Sequence, residues 1–141
     1  KIKYIAPYVH WIHSVYKAKQ LDEIEKRAAQ HNRIIRVLLQ VSISDEEQKG
    51  GCLPTEVPDL LTHAETMEHV VVRGFMGMAK FTDNKEEIRS SFRLLANILF
   101  QNKVQYPKLS ELSMGMSNDY IIAIEEGATM LRIGSAIFGG R

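Results

Sequence analysis

The chain has 141 residues and a mass of 16.1 kDa, the size of one domain. Hydrophobic residues make up 45% and charged residues 25%, which excludes a disordered or fibrous chain. With 18 Lys and Arg against 17 Asp and Glu, the net charge of +1 gives no basic field for nucleic acid or anionic lipid, and no apolar run reaches the roughly 18 to 20 residues of a membrane span.

Val9-His10-Trp11-Ile12-His13-Ser14-Val15 reads as a first strand. Ala18 to Asn32 follows with Leu21, Ile24, Ala28 and His31 at helical spacing and Asp22, Glu23, Glu25, Lys26 and Arg27 on a solvated face. Ile34 to Ile43 is nearly all apolar and rich in β-branched residues, as a strand covered on both faces must be, and the polar run Ser44 to Gly51 ends it. Pro54 opens a helix through Thr66, with Glu56 and Asp59 complementing its dipole. Val70 to Met78 is the third strand. Asp83 or Asn84 caps a long helix marked by Ile88, Phe92, Leu95 and Leu99, which ends before Pro107. Glu111 to Met114 is a short fourth strand. Ser117-Asn118-Asp119 starts a helix running to Glu126, with Gly127 as its C-terminal cap, and Thr129 to Ile133 is the fifth strand.

Strands alternating with helices require βαβ crossovers and a parallel sheet, so the class is α/β. An open doubly wound sheet and a (β/α)8 TIM-type barrel compete. A barrel takes about 250 residues for eight units, so five units take about 156, close to this length. No linker or composition shift divides the chain, and residues 1–141 read as one domain.

In either architecture ligands bind at the carboxyl ends of the strands. After the fourth strand, Ser113-Met114-Gly115-Met116-Ser117 combines a glycine that lets backbone approach a ligand with a serine at a helix N-terminus, an anion-favouring place, although serine is also an ordinary N-cap. After the fifth strand, Gly134 and Ser135 repeat the small-plus-hydroxyl chemistry. If these are the last two strands of a barrel, Ser117, Gly134 and Ser135 fit a phosphate. Arg132 lies on the strand itself, where a buried charge needs an acceptor that a ligand could supply.

The blocks Leu112 to Asp119, Ala123-Ile124, Gly127 and Arg132 to Gly139 resemble the C-terminal signature of the pyridoxal phosphate homeostasis protein family. His13-Ser14-Val15, Leu39-Gln40-Val41 with Lys49 and Gly51, and Gly74 to Met78 with Phe81-Thr82 match its successive strand ends, so the resemblance covers essentially the whole chain. It implies an alanine-racemase-like (β/α)8 barrel, here represented by its last five β/α units, strands four to eight. It further implies pyridoxal 5'-phosphate held as a Schiff base, in a protein that binds, buffers or delivers the cofactor for vitamin B6 homeostasis without robust catalysis. Ser117, Gly134 and Ser135 then resemble the phosphate ligands, with Met114 and Gly115 beside them. Arg132 resembles the arginine facing the pyridine nitrogen, where a permanently protonated group weakens the cofactor as an electron sink.

The resemblance also implies an absence, because the family's Schiff-base lysine lies at the end of the first barrel strand and no lysine here matches it. Lys80 is not placed by the motif. Ser42 stands where asparagine is common and Tyr16 where an acidic residue is common, which leaves the contacts at those strand ends open. The alternative function is an alanine-racemase-like enzyme acting on amino acids, which also calls on a further domain and a tyrosine base. No catalytic residue is assigned.

Other signals carry less. His10 and His13 are three apart on a strand and point to opposite faces, and His63 and His69 lack a carboxylate cluster, so no metal site is expected. The six methionines read as core filler, with a few lining the pocket. Cys52 is the single cysteine, which points to the cytoplasm, and it reads as a plain loop thiol with Lys49 as a candidate neighbour. The chain opens at Lys1 without a secretory signal, so it reads as a piece of something longer. Its open sheet edges are expected to be met either by residues before Lys1 or by edge-to-edge association of two copies.

Overall fold

The computed structural model describes residues 11–45 and 50–132. In chain order these form β1 (Trp11–Val15), α1 (Ala18–Gln30), β2 (Ile35–Gln40), a 3-10 turn (Pro54–Glu56), α2 (Val57–Glu65), β3 (Val70–Met76), α3 (Lys85–Lys103), β4 (Glu111–Ser113) and α4 (Tyr120–Glu125). All strand pairs are parallel, and the strand order is β1-β2-β3-β4. A doubly wound sheet reverses its order at a switch point. Right-handed crossovers that always step the same way instead lay every helix on one face, as in a barrel wall. The open doubly wound alternative therefore falls.

Side-chain alternation supports the same layering. Ile35, Val37 and Leu39 of β2 join one core with Leu21, Ile24 and Ala28 of α1, Leu61 and Ala64 of α2, and Ile88, Phe92 and Leu95 of α3. The intervening Arg36, Leu38 and Gln40 face the other way, since successive strand residues alternate faces. Leu38 is fully buried too, which is why β2 reads as a continuous apolar run. Burying a side chain such as Phe92 or Leu95 completely contributes about 1.5–3 kcal/mol. The ladder shifts register between Val37 and Leu38, beside Gly74, where a Cβ would lie 1.9 Å from the Glu111 carbonyl oxygen. Only glycine fits that close approach of β3 to β4.

Several element ends differ from the sequence expectation. Helix α1 stops at Gln30, because Asn32 turns left-handed at φ 53° and the Arg33 N–H donates to the Ala28 carbonyl at 2.9 Å. His31 is consequently exposed and leaves the apolar stripe. The helix expected from Pro54 to Thr66 is broken into the 3-10 turn and α2. Pro58 has no N–H for the Pro54 carbonyl, which instead accepts from Val57. Ile34 is exposed and β2 begins one residue later.

Asn84, not Asp83, caps α3, its Oδ1 accepting the Glu87 N–H at 3.2 Å. Ser117 is not the N-cap of α4. That position belongs to Asp119, and residues 117–119 form a turn. Gly127 follows the helix at φ 104° as expected. Of the fifth strand, only Met130 forms a bridge, to Ser113, among the described residues, and Ile133 lies outside them. The Thr129 N–H donates to Leu112 at 2.9 Å and the Met114 N–H to Met130 at 3.1 Å, so the segment still runs parallel beside β4. Helix α4 is clamped to α3 by charge. Arg89 reaches Glu125 at 2.6 Å and Glu126 at 2.7 Å, and Arg93 reaches Glu126 at 3.1 Å.

Candidate functional site

The carboxyl ends of the strands carry a row of cross-strand neighbours, Gln40 beside Met76, Met76 beside Ser113, and Ser113 beside Met130. The preceding rung, Leu39, Phe75 and Leu112, belongs entirely to the helix-side core, so the row faces the concave side away from the helices. Ser113 is 1% exposed, and its hydroxyl has no hydrogen-bond partner among the described residues. Buried polar atoms in native proteins are nearly always paired, so this one calls for an explanation.

Beyond Ser113 the chain turns sharply. Gly115 sits at φ 104°, and the Asp119 carboxylate accepts the Met116 N–H at 2.7 Å, closing a turn that leaves Ser117 exposed at its crest. The Arg132 N–H donates to the Gly115 carbonyl at 2.8 Å, which ties the end of the next segment to this loop. The Arg132 residue is exposed.

Across the mouth, burial holds the His13 imidazole below the usual histidine range, and the positive charge of Arg132 lowers it further. The Trp11 ring stands edge-on to His13 at 5.9 Å, and the Arg36 guanidinium lies over the Trp11 ring at 5.9 Å. Trp11 and Arg36 pair at the amino ends of β1 and β2, so this contact lies at the opposite end of the strands from Ser113.

The expected contact residues divide. Gly115, Ser117 and Arg132 come together at one strand edge, while Gly134 and Ser135 lie outside the described residues. The Met114 side chain is fully buried in the helix-side core, so of that residue only the backbone is left to meet a ligand. Gly115 also has a different reason from the one expected. A Cβ there would lie 2.7 Å from the Ala123 Cβ and 3.0 Å from Leu131 Cδ2, so the glycine lets the loop pack on α4. Ser113 was missed as a site residue, although alternation from the plainly apolar Leu112 assigns it to the opposite face.

The remaining candidates are quieter. Lys80 lies 3.6 Å from Asp45, half-exposed. Cys52 is not a loop thiol but is buried, its N–H donating to Gln40 at 2.9 Å. Burial, then the negative charge of Glu56, pushes its thiol up to about 11. Its candidate neighbour Lys49 lies outside the described residues, as does His10. Among the described residues, no group of three or more His, Cys, Asp or Glu is placed to hold a metal ion, and no helix is long and apolar enough to cross a membrane.

A family model described as alanine racemase, N-terminal domain, matches residues 1–141. The chain is 39% identical over 142 residues to a pyridoxal phosphate homeostasis protein of Aquifex aeolicus, covering 100% of the chain and 62% of that relative. It thus spans less than two thirds of the relative's length. Two structures of PipY from Synechococcus elongatus PCC7942, without and with PLP bound, superpose at TM-scores of 0.91 and 0.87, with 30% and 28% identity. Each covers 99% of this chain, and 66% and 65% of the PipY chain respectively. An alanine racemase from Clostridium difficile in complex with cycloserine, 12% identical, superposes at a TM-score of 0.79 over 99% of the chain and 39% of its own length, a likeness of fold alone.

Proposed function

The chain belongs to the alanine racemase N-terminal domain family, a (β/α)8 barrel fold, and from that premise we propose that it is the cofactor-phosphate portion, about five-eighths, of a pyridoxal phosphate homeostasis protein. In this reading residues 1–141 are one domain piece, the last five β/α units, and the whole protein binds and delivers pyridoxal 5'-phosphate without robust catalysis. The observation that carries it is the joining of the Gly115 to Ser117 loop with Arg132 through the Arg132 N–H to Gly115 bond, at the carboxyl edge of a parallel sheet. The relative from Aquifex and PipY with PLP bound support the ligand's identity.

The residues present fit such a group. A permanent cation on Arg132 and an exposed hydroxyl on Ser117 follow the carboxyl ends of the strands, where the buried Ser113 hydroxyl has no partner among the described residues. Ser117, with Gly134 and Ser135, would hold the phosphate, and Arg132 would face the ring nitrogen. Pyridoxal phosphate supplies an electron sink when bound. Arg132 can only donate hydrogen bonds, so facing that nitrogen it would disfavour its protonation and restrain the sink, which suits storage and delivery.

The test is titration of the 141-residue chain with pyridoxal 5'-phosphate, followed by Trp11 fluorescence, before and after borohydride. Saturable binding displaced by inorganic phosphate, with no lysine reduced stoichiometrically, is expected. Absence of saturable binding overturns the reading, and one stoichiometrically reduced lysine overturns the claim that the anchoring lysine is absent. Two subsidiary readings accompany it. Edge-to-edge pairing of two copies, motivated by β1 ending the strand order, predicts a dimer mass by light scattering, and a monomer at high concentration refutes it. Cytoplasmic residence, motivated by the single buried cysteine, fails if the protein fractionates with membranes or periplasm.

A further inference from the structure

We infer that the Ser113 hydroxyl is a direct hydrogen-bond contact for the ring of the bound ligand, an assignment that rests on the cofactor reading above. A buried hydroxyl without a partner destabilises the ligand-free chain, and alanine would fill the same strand position without that cost. The position is also the right one. Ser113 pairs with Met130, and Arg132 lies two residues further along the same segment, its N–H tied to the carbonyl of Gly115 two residues beyond Ser113. The hydroxyl therefore belongs to the same pair of strand ends as the arginine proposed to meet the ring nitrogen.

Its flanking residues suit a flat ring. Met76 and Met130 are its cross-strand neighbours on either side. Unbranched, polarizable methionine side chains can swing aside for an aromatic ring and then pack on its faces. Leu112 and Met114, before and after Ser113, point into the helix-side core and cannot take this role. Ser113 is thus the one hydroxyl of β4 aimed at the concave face. It can both donate to and accept from a ring substituent, whereas Arg132 can only donate.

The experiment compares the chain with Ser113→Ala, using two probes. Pyridoxine 5'-phosphate carries the ring and the phosphate but an alcohol in place of the aldehyde, so it reads non-covalent contacts. Inorganic phosphate reads the phosphate site alone. The expected result is a dissociation constant about 3- to 10-fold weaker for pyridoxine 5'-phosphate, unchanged within about twofold for phosphate, and a ligand-free melting temperature equal to or above that of the unaltered chain. Equal binding of the ring-bearing probe by both proteins overturns the inference and leaves the cofactor reading intact. Parallel loss of both probes, or a lower melting temperature for Ser113→Ala, also overturns it, because either marks a structural role. An unaltered chain that binds neither probe refutes the cofactor reading and this inference together.

Discussion

Gly115→Ala separates two reasons for a glycine in the loop after β4. If the residue exists for ligand approach, alanine spares the ligand-free protein and harms only binding. The geometry says otherwise, since the residue sits at φ 104° and a Cβ would stand 2.7 Å from the Ala123 Cβ and 3.0 Å from Leu131 Cδ2. Holding an L-residue at such a φ costs about 1–3 kcal/mol. Displacing α4 from a packed contact costs about another 1–3 kcal/mol. The sum, about 2–6 kcal/mol, is a large part of a typical stability of about 5–15 kcal/mol, and at about 4 °C per kcal/mol it lowers the melting temperature by about 8–24 °C. Urea unfolding of the ligand-free chain measures it. Because glycine at position 123 itself weakens a helix by up to about 1 kcal/mol, the decisive quantity is the coupling in a cycle of Gly115→Ala, Ala123→Gly and the double variant. Relief of the clash predicts a favourable coupling of about 1 kcal/mol or more. A coupling near zero, or a Gly115→Ala cost below about 0.5 kcal/mol, would refute the packing explanation.

Glu126 is held below the usual carboxylate range by hydrogen bonds from Arg93 and then Arg89, so its contribution is complete above the unfolded value near 4.5 and is lost as pH falls through the folded one. Glu126→Gln should therefore unfold earlier than the unaltered chain at pH 7, by about 1 kcal/mol, with the gap closing below pH 4.5; a pH-independent gap in thermal melts contradicts the clamp. Cys52, buried and with its thiol pushed up to about 11, should resist a thiol reagent at pH 8 and react fully in denaturant, and rapid stoichiometric labelling of the native chain would count against its placement. Arg132→Ala should raise the His13 titration midpoint in an NMR pH series, though not to the ordinary value, because burial is the larger cause of the depression. An unmoved midpoint would mean that the two ends do not meet across the mouth.

The helices were legible because a 3.6-residue period needs only one face to be visible. Leu21, Ile24 and Ala28, and then Ile88, Phe92 and Leu95, mark stripes that the core confirms. Helix interruptions were less so. Two prolines four residues apart, Pro54 and Pro58, interrupt a continuous helix through the missing donor, a signal present in the sequence beside the helix-start signals of Pro54, Glu56 and Asp59. Strand ends were misjudged for the opposite reason. An all-apolar run such as Ile34 to Ile43 carries no period-two pattern, so neither its first paired residue nor its facing could be read from it. The influence of the Arg132 charge on His13 was not legible at all, because it links the first and last described segments of the sheet and not any local pattern.

The loop after β4 shows how the local and global levels meet. Alternation sends Leu112 to the helices, Ser113 to the concave face and Met114 back to the helices. Strict continuation would return residue 115 to the concave face, but its positive φ turns it against α4 instead, and the chain leaves the sheet there with Ser117 exposed in the turn that follows. The left-handed residue thus ends the strand and sets the position of the proposed phosphate loop against α4. Arg132 is tied to the same backbone through the Gly115 carbonyl, so a movement of α4 is transmitted to the proposed ring contact as well as to the proposed phosphate loop. Helix α4 is in turn held by Glu126 against Arg89 and Arg93 on α3, on the outer face. A change to that clamp should therefore alter ligand affinity without touching the ligand, whereas a change at Ser113 should alter affinity without loosening the fold.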